Sequence, residues 1–317
     1  DSWQDLLVIE PQDLEAQQAL DRLLTDAKRF PELLDHLSYM LTHGAAGERP
    51  GLVHLRRAQI LRDELDEGSR ARPDWDSLLE LEPENIEALE SLAELVLDLS
   101  EYQVWTDLTL RRLALPDDNF CQRKLDLIKV LGGELERTDD AHKHTAELIC
   151  DERASWEQLS ELATLCLDHS RPDQAVEALT EAVKRCSDEE ALRQLLYRIV
   201  EIEQDVLKQP AKAIWAWERL WADEKTDFKP YHALRELYRV EQRWTDLVEL
   251  HESAMPTLDE SGTVDALQAI LQVQSKHLEM PERAFMTAGR LYRLKPEDID
   301  AAQSLVDLGT TLGCVDE

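Results

Sequence analysis

The chain has 317 residues, 43% of them hydrophobic, and its 35 basic and 67 acidic side chains give a formal charge of −32. Such a charge repels the phosphate backbone that supplies most nucleic-acid affinity, and it opposes docking on an anionic membrane. It favours encounter with basic proteins or peptides, although an acidic surface can also serve only to keep a long molecule in solution.

Targeting and redox features are few. The longest uncharged stretch, residues 37–47, is far shorter than the roughly 20 residues that span a bilayer, so no transmembrane helix is predicted. The chain starts at Asp1, and no cleavable signal pattern follows. The cysteines are odd in number, far apart and without a CxxC, so we interpret them as buried small hydrophobes in a reducing, cytoplasmic compartment. They are Cys121, Cys150, Cys166, Cys186 and Cys314.

Three segments end a helical apolar pattern with nearly the same residues around a proline. They read LVIEPQD at 7–13, LELEPEN at 79–85 and YRLKPED at 292–298. Proline cannot continue the preceding helix but fits the first turn of the next, and the acidic residues after it suit a helix N-terminus. Each segment therefore predicts one helix end followed by one helix start.

Downstream of these turns, a leucine is followed seven positions later by an aromatic residue. The pairs are Leu23/Phe30, Leu95/Tyr102 and Leu237/Trp244. We predict that each aromatic residue opens the partner helix. Leucines three positions beyond Phe30 and Trp244 would then share their helical face.

The pattern keeps its register over long distances. Trp3 and Trp75 are 72 residues apart, and Pro210 and Pro281 are 71 apart. A repeated step of this length predicts two helical hairpins of about 36 residues each. The whole chain reads as about eighteen helices and no strand.

These segments resemble tetratricopeptide repeats, whose pattern runs over 34 residues. Residues 171–179 (RPDQAVEAL) resemble the start of the second helix of that repeat, and Leu308-Gly309 resembles the Leu-Gly of the first. The family's glycine is replaced by large residues in most copies, for example by Tyr238. Residues 211–220 (AKAIWAWERL) are also similar to half-a-TPR repeats. The resemblance covers nearly the whole chain and is weakest at about 116–170.

The resemblance implies an all-α, right-handed α-solenoid of about eight to nine hairpins without a β-sheet, continuous over residues 1–317. A stack is expected because each hairpin has two apolar sides and buries both only against neighbours. The chain opens mid-pattern at Trp3 and stops after one helix of a new pair. We therefore expect a piece of a larger protein.

The sequence gives little support for a catalytic or metal-binding site. No P-loop, GxGxxG, GxSxG, HExxH or EF-hand pattern occurs. His142 and His144 are two positions apart, which on a helix points them to different faces. Cys166 and His169 could touch, but a nucleophilic thiol also needs an exposed electropositive setting. The sequence predicts a protein that is not an enzyme and has no cofactor and no metal site.

The densest aromatic stretch, residues 215–244, is the candidate anchor for a partner. Most of its rings have the spacing of inter-helix packing and are expected in the core. Trp215 and Tyr231 lie off the helical stripe that the neighbouring rings share, so these two are the candidate partner-binding residues.

The leading hypothesis is a non-catalytic scaffold or adaptor whose acidic surface docks a basic or amphipathic segment of a protein partner. Some tetratricopeptide proteins grip a C-terminal carboxylate with several asparagines, but this chain has only Asn85 and Asn119. Two alternatives stay open. The chain could pack against another copy of itself or another domain, or it could regulate a catalytic domain outside these residues.

Overall fold

The structure is a computed structural model, and it describes residues 3, 7, 9, 10, 13–43 and 49–313. Across these residues the chain forms helices and no strand, which confirms the predicted all-α class. The α-helices are α1 Leu14–Asp26, α2 Phe30–Thr42, α3 Pro50–Gln59, α4 Arg72–Leu81, α5 Ile86–Asp98, α6 Tyr102–Leu113, α7 Phe120–Lys129, α8 Thr138–Ile149, α9 Trp156–Asp168, α10 Pro172–Arg185, α11 Glu189–Glu201, α12 Ile214–Asp223, α13 Phe228–Val240, α14 Trp244–Ala254, α15 Glu260–Lys276, α16 Pro281–Leu294 and α17 Ile299–Leu312.

The helices divide into two compact units, one ending at Ala154 and one beginning at Ser155. The N-terminal unit holds α1–α8 and the C-terminal unit holds α9–α17. Within each unit every helix packs against the next one along the chain. The helices therefore pair as successive hairpins, α1 with α2 through α15 with α16, and α17 packs against α16.

Each hairpin turns on one residue in the left-handed backbone region, with φ between 52° and 59°. Such residues recur about every 36 positions, which is the hairpin length that the sequence predicts. None is a glycine, although glycine adopts this conformation at the least cost. They are Lys28, Asp66, Ser100 and Glu136 in the N-terminal unit, and Ser170, Lys208, Gln242 and Glu279 in the C-terminal unit.

Two turn types alternate along the chain. In the narrow type, the N–H after the left-handed residue donates to the carbonyl five residues back, as Glu101 does to Val96 at 2.8 Å. In the wide type it reaches six residues back, as Glu67 does to Leu61 at 2.8 Å. π-Helical segments precede three of the wide turns, at Ile60–Glu64, Val130–Glu134 and Ile202–Val206. This alternation explains why the sequence repeats over two hairpins rather than one.

The predicted helix starts are confirmed in one respect and wrong in another. Phe30, Tyr102 and Trp244 each open the second helix of a hairpin, as predicted. Pro83 and Pro296, however, do not enter the first turn of the next helix, and Pro11 lies outside the described residues. Pro83 lies in the turn before α5, and the N-cap of that helix is Asn85, whose side chain accepts from the Ala88 N–H at 3.1 Å. An acceptor side chain satisfies a free helix N–H, which proline cannot do.

The interior of each unit is built mainly from leucine and alanine, with a few large aromatic rings. Trp217, Trp221, Tyr231 and Tyr238 are all buried, so the expectation that most aromatic residues lie in the core is confirmed. None of the described helices combines the length and the apolar character needed to cross a bilayer.

The cysteines follow the expected burial only in part. Cys121 and Cys166 are buried, whereas Cys186 is half-buried and Cys150 is exposed; Cys314 lies outside the described residues. The interpretation is wrong for Cys150 because that residue follows the last residue of α8 and enters the connection between hairpins.

Candidate functional site

In the N-terminal unit, the first helices of the hairpins, α1, α3, α5 and α7, are joined by polar contacts. Arg56 on α3 donates to Thr25 Oγ1 on α1 at 3.1 Å. Arg62 lies 3.2 Å from a Glu87 carboxylate oxygen on α5. These contacts link helices that are not neighbours in sequence, so the four helices form one layer, here called the first-helix layer.

Helix α5 presents an acidic stripe consisting of Glu87, Glu90, Glu94 and Asp98. The spacing of three or four residues places them along one helical face. Glu87 and Glu90 are held by arginines, whereas Glu94 and Asp98 are exposed and have no hydrogen bond or ion pair within the described part of the chain. Two free carboxylates thus project from a helix that packing and ion pairs keep in place.

A largely buried network fixes the Glu90 end of the stripe. Arg112 Nε donates to Glu90 Oε1 at 2.9 Å, and Arg123 Nη2 donates to the same oxygen at 2.9 Å. Both arginines also contact Asp117, whose side chain is only 2% exposed. Burial opposes ionisation of Asp117, but hydrogen bonds from Arg123 and the Asn119 N–H, together with both arginine charges, hold its pKa below the usual value.

Apolar side chains border the stripe. Ile86 and Leu97 are both partly exposed on α5, and at 40% exposure Leu97 lies one helical turn from Glu94. Carboxylates beside exposed aliphatic side chains match a ligand that carries both cations and apolar groups.

The C-terminal unit has polar contacts of the same kind. Arg198 on α11 donates to Ser160 Oγ on α9 at 2.6 Å. The Tyr197 hydroxyl donates to the N-cap carboxylate of α13, Asp227, at 2.6 Å. Gln268, one two-hairpin step later, donates in the same way to the N-cap carboxylate of α17, Asp298, at 2.8 Å. Burial and the Asp227 carboxylate raise the pKa of Tyr197 to about 12, so its hydroxyl keeps the proton that it donates.

The two residues that the sequence proposes for partner binding occupy different environments. Trp215 on α12 is 38% exposed. Tyr231 is 5% exposed, its ring lies 5.6 Å from that of Trp221, and its hydroxyl lies 2.7 Å from His251 Nδ1. Of the pair, Trp215 is accessible to a partner and Tyr231 is enclosed by α12 and α14.

Sequence reasoning missed the acidic stripe. In the sequence, the stripe is visible only as the spacing of the acids at 87, 90, 94 and 98. With 67 acidic residues in the chain, such a spacing is expected for any solvent-exposed helical face. What distinguishes Glu94 and Asp98 is that the arginines of neighbouring helices contact Glu87 and Glu90 instead. Those arginines lie on the π-helical segment that follows α3 and on α6 and α7.

The other polar groups that the sequence singles out do not form a reactive centre. His144 Nδ1 lies 3.3 Å from a Glu147 carboxylate oxygen. Cys166 is buried. Within the described ranges there is no group of three or more His, Cys, Asp or Glu side chains arranged to hold a metal ion. A His54–Asp74 pair at 2.8 Å is also contacted by Arg57 at 3.3 Å, which makes it part of the packing between α3 and α4.

No protein-family model matches the chain, and no curated protein matches it. Among solved structures it is similar to Naa15/Naa10 bound to HypK-THB, at 15% identity over 98% of this chain and 53% of that chain, with a TM-score of 0.37. It is also similar to the C-terminal part of a TPR repeat-containing protein from Cytophaga hutchinsonii, at 10% identity, 79% and 98% coverage and a TM-score of 0.34.

A third similar structure is the TPR domain of P58(IPK), at 16% identity, 95% and 89% coverage and a TM-score of 0.29. At these identities and TM-scores the likeness says nothing about what this chain binds. Its own hairpins, with their left-handed turns about every 36 residues, make the fold a tetratricopeptide-like helical array, as the sequence predicts.

Proposed function

We propose that the chain is a non-catalytic protein-interaction scaffold whose acidic stripe on α5 docks a basic or amphipathic segment of a partner protein. The observation that carries this proposal is the pair Glu94 and Asp98, both exposed and unpaired on a helix held by its neighbours. The helix that carries these carboxylates is already in place when a cation arrives, and the excess negative charge of the chain speeds the encounter.

The apolar border of the stripe favours an amphipathic ligand over a purely basic one. Ile86 and Leu97 would contact aliphatic groups while Glu94 and Asp98 pair with lysine or arginine. A solvent-exposed ion pair contributes little to binding by itself, so the affinity needs both the ion pairs and the apolar contacts.

The test is a comparative pull-down from native lysate, eluted through a salt gradient and read by mass spectrometry. The bait is the chain itself or the Glu94→Gln/Asp98→Asn double variant. A matched control, Asp35→Asn/Glu80→Gln, removes the same charge from exposed positions on α2 and α4. Partners retained by the wild type and the control but lost by the stripe variant support the proposal. Equal retention by all three baits, or capture of nothing beyond the bait, contradicts it.

A second candidate function is self-assembly through the C-terminal unit. Ile299 and Val306 on α17 are exposed apolar side chains. A second copy of the chain would cover this surface. Light scattering across protein concentration tests it, since assembly raises the apparent mass and Ile299→Asp/Val306→Asp should abolish the rise; a constant monomer mass contradicts it.

A further inference from the structure

Helix α12 exposes two cations on either side of an indole ring. Lys212, just before the helix, Trp215 and Arg219 follow one another at spacings of three and four residues, so they lie along one helical face. All three are exposed. The side chains of Lys212 and Arg219 form no hydrogen bond or salt bridge with any described residue, although the Lys212 charge acts at longer range on the buried Glu203 carboxyl. These three residues are called the basic stripe.

Carboxylates are in excess in this chain, which has 67 acidic and 35 basic side chains. Two arginines of the same unit use them: Arg193 contacts Asp223 at 3.1 Å, and Arg243 contacts Glu218 at 3.2 Å. Lys212 and Arg219 are therefore left available on a surface where acids are in excess.

The same arrangement recurs one two-hairpin step later on α16. Arg283, Met286 and Arg290 stand 71 residues after Lys212, Trp215 and Arg219 and are all exposed, Met286 by 69%. Arg290 contacts the Met255 sulfur at 3.5 Å and forms no salt bridge with a described residue. A large apolar side chain between two cations is thus a repeated feature of the C-terminal unit.

An acidic helix adjoins the helix of the basic stripe. Glu249 and Glu252 are exposed on α14. Helices α12 and α14 are in contact, since the Trp221 indole N–H donates to a serine hydroxyl on α14 at 2.9 Å. Packed helices lie about 8–10 Å apart, so these acids lie within about one helix diameter of the basic stripe.

The acids of α14 restrict which anionic ligand fits the basic stripe. A bilayer or a nucleic-acid duplex would extend over α14 and be repelled by its carboxylates. A single polypeptide segment can follow α12 alone. Lys212 and Arg219 are seven residue steps apart, an axial distance of about 10 Å, which corresponds to about three residues of an extended strand.

We propose that the basic stripe binds an acidic segment of a partner protein, with carboxylates on Lys212 and Arg219 and an apolar side chain between them on Trp215. The indole face supplies the contact area, and the two charges fix the register. Met286 and its two arginines form a second copy of the same site. This surface takes a ligand of opposite charge to that of the α5 stripe, so either proposal can fail without the other.

The test follows the Trp215 indole N–H by two-dimensional NMR, with its signal assigned from a Trp215→Phe variant. The probe is a synthetic peptide with one leucine between two pairs of glutamates. Saturable movement of the Trp215 signal is expected, and Lys212→Gln/Arg219→Gln should weaken binding about tenfold. Lys225→Gln, which removes an exposed charge from the α12–α13 connection, should leave binding unchanged. Unchanged signals of the other indoles in the variants show that the fold is intact.

Four outcomes overturn the proposal: a Trp215 signal that does not move at millimolar peptide, equal weakening by Lys225→Gln, equal binding of a peptide with serine in place of leucine, or a response to anionic phosphatidylserine vesicles that matches the response to the peptide. The last outcome would assign the stripe to membranes instead.

Discussion

Acid should destabilise the C-terminal unit through His251, a residue of α14 whose side chain is buried against α13. The residue is 2% exposed, and its Nδ1 lies 2.7 Å from the Tyr231 hydroxyl. No described residue offers a hydrogen-bond partner to Nε2. Burial lowers the pKa of His251 to about 4, and the charges of Arg235 and Arg239 act in the same direction.

The magnitude follows from the difference between the folded and unfolded pKa. In the unfolded chain His251 takes up a proton near pH 6.5, but in the folded protein it does so only near pH 4. Its contribution to stability is complete above pH 6.5 and is lost as the pH falls towards 4. Between pH 7.5 and 4.5 this loss is about 2.5 kcal/mol.

Urea unfolding of the wild type and His251→Gln, followed by tryptophan fluorescence at both pH values, measures this loss. Glutamine does not titrate, so the free energy of unfolding of the wild type should fall by about 2.5 kcal/mol more than that of the variant. Every other titrating group is common to both proteins and cancels. Equal losses, or an NMR titration of the His251 ring near pH 6.5, would refute the reasoning.

Four further substitutions test three effects, one at a turn and two at buried charges. Ser100→Gly should raise the free energy of unfolding by about 1 kcal/mol because φ at this position is 59°, whereas Gln122→Gly inside α7 should lower it by about as much. Glu203→Leu should stabilise by about 1–2 kcal/mol at pH 7, because burial raises the pKa of this carboxyl and one of its oxygens has no described partner. Arg112→Met should cost about 3 kcal/mol by depriving buried Asp117 of a cation.

Urea unfolding measures all three effects. A destabilised Ser100→Gly variant would contradict the left-handed turn. The gain from Glu203→Leu should shrink as the pH falls from 7 to 4.5, because the folded carboxyl, with its raised pKa, takes up a proton before the unfolded one does; a gain independent of pH would contradict the burial argument. An unchanged pKa of Asp117 in the Arg112→Met variant, measured by NMR, would contradict the ion-pair network.

The fold could be predicted from the sequence because its determinants are local. The aromatic residues that open second helices and the acceptor residues before first helices recur in fixed register, and each acts within one or two helical turns. The hairpin period follows from that register. The left-handed turn residues could not be located, because serine, lysine or glutamate at those positions carries none of the signal that glycine would.

The candidate sites depended on tertiary contacts. From sequence spacing alone, Trp215 and Tyr231 are equal candidates for contact with a partner. In the structure, rings from neighbouring helices enclose Tyr231 and leave Trp215 accessible. The sequence does not distinguish the four acids of α5 from one another. Glu94 and Asp98 stay unpaired because arginines from three other helical segments contact Glu87 and Glu90. Periodicity reports which face a residue occupies, whereas exposure and charge pairing depend on side chains supplied by residues far away in the chain.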